Sequence, residues 1–258
     1  MAQGPLAPLE KLGVGAMTRF HGRRIAVTGA AGGIGLVICA DLAEQGGEVY
    51  GLDRQGLDRL PDGVRGITID LASEESVGAA VRELYADDNR PVDLVTCAGI
   101  VEDNVAAEDM SLAQFDAVLG VNLRGVFLTC REFGRELLAR GGGAIVNVAS
   151  MSGNAVVNHP QRQCAYNTSK AGVSALTRSL AVEWGPRGVR INTVSPGYVN
   201  TPLNSLKTDM HGQWLAETVL GRFGTTLEVA RAVEYLLSED AAFCCGTELL
   251  IDGGFSLR

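Results

Sequence analysis

Seven short apolar runs punctuate this chain, at residues 24–28, 48–52, 66–70, 92–97, 144–148, 190–194 and 248–251, and segments of helical period separate most of them. The runs are almost continuously apolar (IAV, DLVTC, AIVNV, ELLI), as strands covered on both faces must be. The intervals are long enough to carry a crossover helix, which parallel strands require. Helices are expected over 34–44, 74–85, 112–140 with an interruption near Gly120, 165–184 and 227–237. The pattern predicts an α/β fold: a single-domain, Rossmann-type doubly wound sheet of about seven parallel strands with helices on both faces. No linker or internal repeat divides the 258 residues, so residues 21–258 are read as one domain and 1–20 as a flexible N-terminal extension.

The formal charge of −8 opposes binding to nucleic acid or an anionic membrane and favours a small-molecule partner. Six cysteines, at 39, 97, 130, 164, 244 and 245, show no CxxC or paired metal-ligand spacing, which suits a reducing cytoplasm. The histidines at 21, 159 and 211 are too dispersed to suggest a metal site, and none is expected. No apolar run approaches the roughly 20 residues that cross a bilayer, and the first residues lack a secretory signal pattern.

Two groups of residues carry chemistry. The first strand runs into Thr28-Gly29-Ala30-Ala31-Gly32-Gly33-Ile34-Gly35 and then a helix. Glycines there let backbone approach a pyrophosphate at a helix N-terminus, although such a turn alone serves strand-to-helix packing equally well. The next strand ends at Asp53, where a carboxylate can accept hydrogen bonds from an adenosine ribose and would repel a 2′-phosphate. This favours NAD over NADP, with the adjacent Arg54 able to soften the preference. The second group is Ser150 after the fifth strand, with Tyr166 and Lys170 one helical turn apart. An ammonium beside a phenol favours phenolate and would lower a pKa of about 10 towards a useful acid–base range.

Together these residues resemble the short-chain dehydrogenase/reductase family from about Arg24 to Arg258. The resemblance implies a catalytic tetrad of Asn122, Ser150, Tyr166 and Lys170, with Asn122 holding a water that links Lys170 to solvent. It implies that Gly29, Gly33, Ile34, Gly35 and Asp53 hold the adenosine diphosphate half of the cofactor, with Asp70 and Leu71 flanking adenine. Ala98, Gly99, Tyr166, Lys170, Pro196, Gly197, Val199 and Thr201 would line the nicotinamide half. Cys97 departs from the family's usual asparagine, which puts that residue's sheet-stabilising bonds in question.

The stretch from Ser150 to Tyr166 is longer than in many members and is similar to that of members acting on sugar alcohols and ketoses. Ser150, Ser152, Asn158, Gln161 and Tyr166 are the expected substrate contacts, because amides and hydroxyls can match a chain of hydroxyl groups. Both amides could instead satisfy loop backbone. Residues 202–222 would form a substrate loop.

The expected function is NAD-dependent interconversion of a secondary alcohol and a ketone, with polyols leading. The alternatives are a 3-oxoacyl thioester reductase and, from another class, a non-catalytic dinucleotide-binding sensor. The resemblance also implies a homotetramer, or a dimer.

Overall fold

The computed structural model describes residues 19–102, 104–205 and 208–258. Residues 1–18 of the expected 1–20 extension lie outside the described residues. Its last two positions, Arg19 and Phe20, belong to the folded body instead. Phe20 is fully buried among Ile25, Ile38 and Leu42, and its N–H donates to the Gln45 carbonyl at 3.0 Å. Arg19 pairs with Glu234 at 3.1 Å. Burying a phenylalanine contributes about 2 kcal/mol, which a Gly- and Pro-rich approach conceals in the sequence.

One sheet of seven parallel strands organises the chain, in the order β3-β2-β1-β4-β5-β6-β7. The strands are β1 (Arg24–Thr28), β2 (Glu48–Asp53), β3 (Arg65–Thr68), β4 (Val92–Thr96), β5 (Gly143–Val148), β6 (Val189–Pro196) and β7 (Glu248–Ile251). The principal helices are α1 (Gly33–Glu44), α2 (Glu74–Leu84), α3 (Leu112–Leu119), α4 (Val126–Ala139), α5 (Met151–Asn154), α6 (Cys164–Trp184), α7 (Pro202–Ser205), α8 (His211–Glu217) and α9 (Thr226–Leu237). The interruption expected near Gly120 is a π-helical turn, Gly120–Gly125, between α3 and α4.

Alternation along β1 builds two core layers, because successive side chains face opposite sides of a sheet. Ile25 and Val27 pack with Ile38 and Leu42 of α1 and Val229 and Val233 of α9. Ala26 faces the layer formed by Val77 and Val81 of α2, Phe133 of α4 and Val173 of α6. Between the sheet and α6 runs a polar chain. Thr96 donates to Asn147 Oδ1 at 2.7 Å, Asn147 Nδ2 to Thr177 Oγ1 at 2.9 Å, and Thr193 Oγ1 bonds Thr177 Oγ1 at 2.9 Å. Each of these buried groups has a partner, so the chain pins β4, β5 and β6 to α6 without a desolvation penalty.

One buried charge is less well served. Asp41 on α1 meets Arg231 of α9 at 3.1 Å, but neither carboxylate oxygen accepts a hydrogen bond among the described residues. Burial pushes its pKa up to about 6, against the pull of Arg231 and with help from Glu234. A carboxyl whose folded pKa exceeds its unfolded value of about 3.9 favours the fold more as pH falls through 6. Asp41→Asn is therefore expected to raise Tm by roughly 3 °C at pH 8. The difference should vanish by about pH 4, checked by thermal melts of both proteins across that range.

Candidate active site

The strand order reverses between β1 and β4, and the loops leaving the carboxyl ends of β1, β2, β4, β5 and β6 surround a cleft of about 600 Å³ there. Such a switch point is where open α/β sheets bind ligands. Except for Asn122, which is buried behind it, every residue expected to hold cofactor or substrate lines this cleft.

The β1–α1 loop is closely packed at its glycines. Gly29 has φ 68°, and a Cβ there would stand 2.6 Å from the Ala98 backbone nitrogen. A Cβ on Gly35 would stand 2.1 Å from the Gly29 carbonyl oxygen, and one on Gly33 would stand 2.9 Å from Pro202 Cδ. Gly32, the N-cap of α1, offers no side-chain cap, so the first turn at Gly33, Ile34 and Gly35 is left for an anion.

Asp53, ending β2, is fastened to this loop. Its Oδ2 accepts from Ala31 N–H at 3.0 Å and its Oδ1 from Arg54 N–H at 2.7 Å. Beyond β3, Asp70 Oδ1 accepts from Ala72 N–H at 2.9 Å, which shapes the turn that brings Leu71 to the cleft. On the far wall, Pro196, Gly197 and Val199 follow β6, and Thr201 Oγ1 accepts from Asn204 N–H at 3.3 Å.

Cys97 and Ala98 follow β4. The Thr28 hydroxyl accepts from both of their N–H groups, at 3.2 and 3.5 Å, so β1 and β4 stay tied without the family's asparagine. Burial pushes the Cys97 thiol up to about 11, which keeps it neutral.

The π-helical turn places Asn122 behind this loop. Its amide closes a two-way bond with Ile100, Oδ1 accepting from N–H and Nδ2 donating to C=O, both at 2.8 Å. Nδ2 also donates to Ser169 Oγ at 3.1 Å. Both donors of the Asn122 amide are thereby taken, which leaves Oδ1 with one free lone pair and the main chain for the expected water relay.

Tyr166 and Lys170 sit on α6, as their spacing predicts. The Tyr166 hydroxyl hydrogen-bonds Ser150, and Lys170 Nζ donates to the Val148 carbonyl at 2.9 Å, lying 5.7 Å from the Tyr166 ring centroid. The electrostatics differ from the expectation. Burial raises the phenol, opposed by the Ser150 bond, and burial pushes the Lys170 ammonium down to about 8. Desolvation disfavours both charged forms, and the ammonium is turned to a carbonyl.

The expected substrate contacts form a chain. Ser150 Oγ donates to Ser152 Oγ at 3.1 Å, and Asn158 Nδ2 donates to Ser152 Oγ at 2.6 Å and to Gln163 Oε1 at 3.1 Å. Asn158 is only 5% exposed, yet its Oδ1 has no partner among the described residues. Among the described residues Gln161 bonds no loop backbone either; its Oε1 accepts from the Tyr198 hydroxyl at 3.0 Å. Tyr198 in turn stacks on Trp214 of α8, centroids 4.0 Å apart, which docks the described part of the 202–222 loop against the pocket wall.

Glu102, Gln163 and Tyr198 were not singled out from sequence. Tyr198 lies between Gly197 and Val199 after β6, but nothing local marks its contact with Gln161. Glu102 meets α6 across more than sixty positions.

Residues 29–256 match the family model described as enoyl-(acyl carrier protein) reductase, and relatives match over nearly the whole chain. The chain belongs to the short-chain dehydrogenase/reductase family. Galactitol 2-dehydrogenase of Rhizobium johnstonii is 40% identical over 92% of this chain and 96% of its own length. D-threitol dehydrogenase of Mycolicibacterium smegmatis is 38% identical over 93% and 95%. Among solved structures of this family, the NADPH-dependent 3-quinuclidinone reductase of Rhodotorula rubra is 32% identical, with TM-score 0.88 over 100% of this chain and 98% of that one. As a short-chain dehydrogenase/reductase the protein is an oxidoreductase acting on CH–OH groups, with a small-molecule alcohol as substrate and NAD(P) as cofactor. No helix among the described residues is long and apolar enough to cross a membrane.

Proposed function

We propose that this protein interconverts a polyol and its ketose using NAD, in a reducing cytoplasm. The observation that carries the reading is the pocket wall of Ser150, Ser152, Asn158 and Gln163, polar and buried, with the Asn158 Oδ1 acceptor unpartnered. Hydroxyl and amide groups on such a wall can match a chain of substrate hydroxyls, whereas an acyl chain would leave them unpaired. The two dehydrogenases of sugar alcohols among the relatives support the same class.

In the oxidation direction Tyr166, as phenolate, takes the proton of the reacting hydroxyl. Ser150 donates to the same oxygen and steadies its charge. Lys170, in its ammonium form, favours the phenolate, and the Asn122 contact with Ile100 keeps the Ala98–Gly99 backbone in place behind it. A bound nicotinamide supplies the hydride acceptor. Reduction reverses these roles. Asp53 supports NAD over NADP, since a 2′-phosphate would face its carboxylate.

A homotetramer is supported by exposed Leu112 on α3, Phe127 on α4, Val182 on α6 and Leu250 on β7, apolar groups that a second copy could cover.

Initial rates with galactitol, D-threitol and pentitols, against NAD and NADP, test the reading. The expected outcome is kcat/KM at least about tenfold higher with NAD, and higher on a polyol than in reduction of an acetoacetyl thioester. Preference for the thioester would replace this function with the fatty-acyl one. Dinucleotide binding with no turnover of any alcohol or ketone would indicate a sensor.

A further inference from the structure

We infer that Glu102 is a positioning residue for proton transfer: it fixes the first turn of α6, and with it Tyr166, to the loop that faces the nicotinamide. The inference rests on Tyr166 being the proton acceptor.

Helix α6 starts without local support. Its N-cap, Gln163, makes no side-chain cap, and its first turn holds no acidic residue. Glu102 supplies both from a distance. Its Oε1 accepts from Ala165 N–H at 2.9 Å and from Tyr166 N–H at 3.1 Å, and its Oε2 also lies 3.1 Å from Tyr166 N–H. Glu102 is 8% exposed, so these charge-assisted bonds are little screened by water. A negative group at a helix N-terminus also complements the helix dipole.

What separates Glu102 from an ordinary cap is the loop that carries it. The same loop, following β4, presents Ala98 and Gly99 to the cleft. A Cβ at Gly99 would lie 3.4 Å from Lys170 Nζ and 3.5 Å from Asn122 Oδ1, so a single added atom is all the space between this backbone and the amine and its neighbour. Asn122 holds the loop at Ile100 and Glu102 holds it at α6, two residues apart. Loop and helix therefore move as one body, and the distance between the proton acceptor and the dinucleotide wall is set there.

The Glu102 charge also reaches the phenol. The groups acting on Tyr166 are Ser150 after β5, Cys97 after β4, Lys170 on its own helix and Glu102; the Glu102 charge pushes the phenol up. Glu102→Gln keeps an acceptor for both N–H groups and removes the charge. The acid limb of kcat/KM for alcohol oxidation should then move to lower pH, making the variant about threefold faster than wild type relative to its own plateau on that limb. Glu102→Asp keeps the charge one methylene shorter, so it should lower kcat about tenfold with the limb unmoved and the dinucleotide Kd little changed. These profiles are measured on the purified full chain with NAD and its best polyol, beside Tyr166→Phe.

Unchanged pH limb in Glu102→Gln, together with wild-type kcat in Glu102→Asp, would overturn the inference. If Glu102→Gln does not fold, kcat in Glu102→Asp decides it alone. Substantial turnover by Tyr166→Phe would instead remove the reading on which the inference rests.

Discussion

Tyr166→Phe is expected to lower kcat/KM for the secondary alcohol by about 10²- to 10⁴-fold while the dinucleotide Kd stays within about threefold. The substitution removes one hydroxyl, whose bond is to Ser150, and leaves the ring that packs below Lys170. The proposed cradle for the adenosine half, Gly29, Gly33, Gly35 and Asp53, lies at β1, α1 and β2 rather than α6. Binding and chemistry should therefore separate, with fluorescence titration reporting the first and steady-state rates the second. The wild-type rate of alcohol oxidation should climb with pH, because burial raises the phenol and only its ionised form accepts a proton. In the variant that climb should disappear.

Gly35→Val should have the opposite signature, abolishing dinucleotide binding first. The Cβ alone would lie 2.1 Å from the Gly29 carbonyl oxygen and 3.0 Å from Ala30 Cα, inside backbone that cannot swing aside as a long side chain could. Relief requires the β1–α1 loop to open, which withdraws the first turn of α1 from the pyrophosphate. The dinucleotide Kd is expected to rise more than about 100-fold, with a fall in stability of about 2–4 kcal/mol from the overpacked turn. Calorimetric titration and a thermal melt measure the two. A near-normal Kd would mean that the glycine serves packing alone.

The difference between these two variants reflects how the fold was legible. Fully buried strands such as β1 and β4 announce themselves by continuous apolar runs. The edge strand β3 does not, since three of its four residues are not buried. Its ends are set by pairing of Tyr50–Asp53 with Arg65–Thr68, and the run at 66–70 overshoots it. β6 runs on to Pro196 because β7 pairs with it there. Spacing of three or four residues placed Tyr166 and Lys170 on one helix face, but not the orientation of the amine. Its turn towards the Val148 carbonyl depends on where β5 ends relative to α6. The amides at Asn158 and Gln161 were expected on the pocket wall, but their partners Gln163 and Tyr198 depend on the path of the loop. Phe20 was hidden by its neighbours, since one aromatic after a Gly- and Pro-rich stretch carries no period.

In the proposed reaction proton and hydride leave one carbinol together, the first to Tyr166 and the second to the dinucleotide. A polyol deuterated at the carbon to be oxidised tests this directly, with the nicotinamide analysed by mass spectrometry after turnover. One deuterium per ketose formed should appear in the reduced nicotinamide, and Tyr166→Phe should form that labelled nicotinamide about 10²- to 10⁴-fold more slowly than the wild-type protein. Ketose formed while the deuterium is released to water, or equal rates of labelling by both proteins, would contradict it.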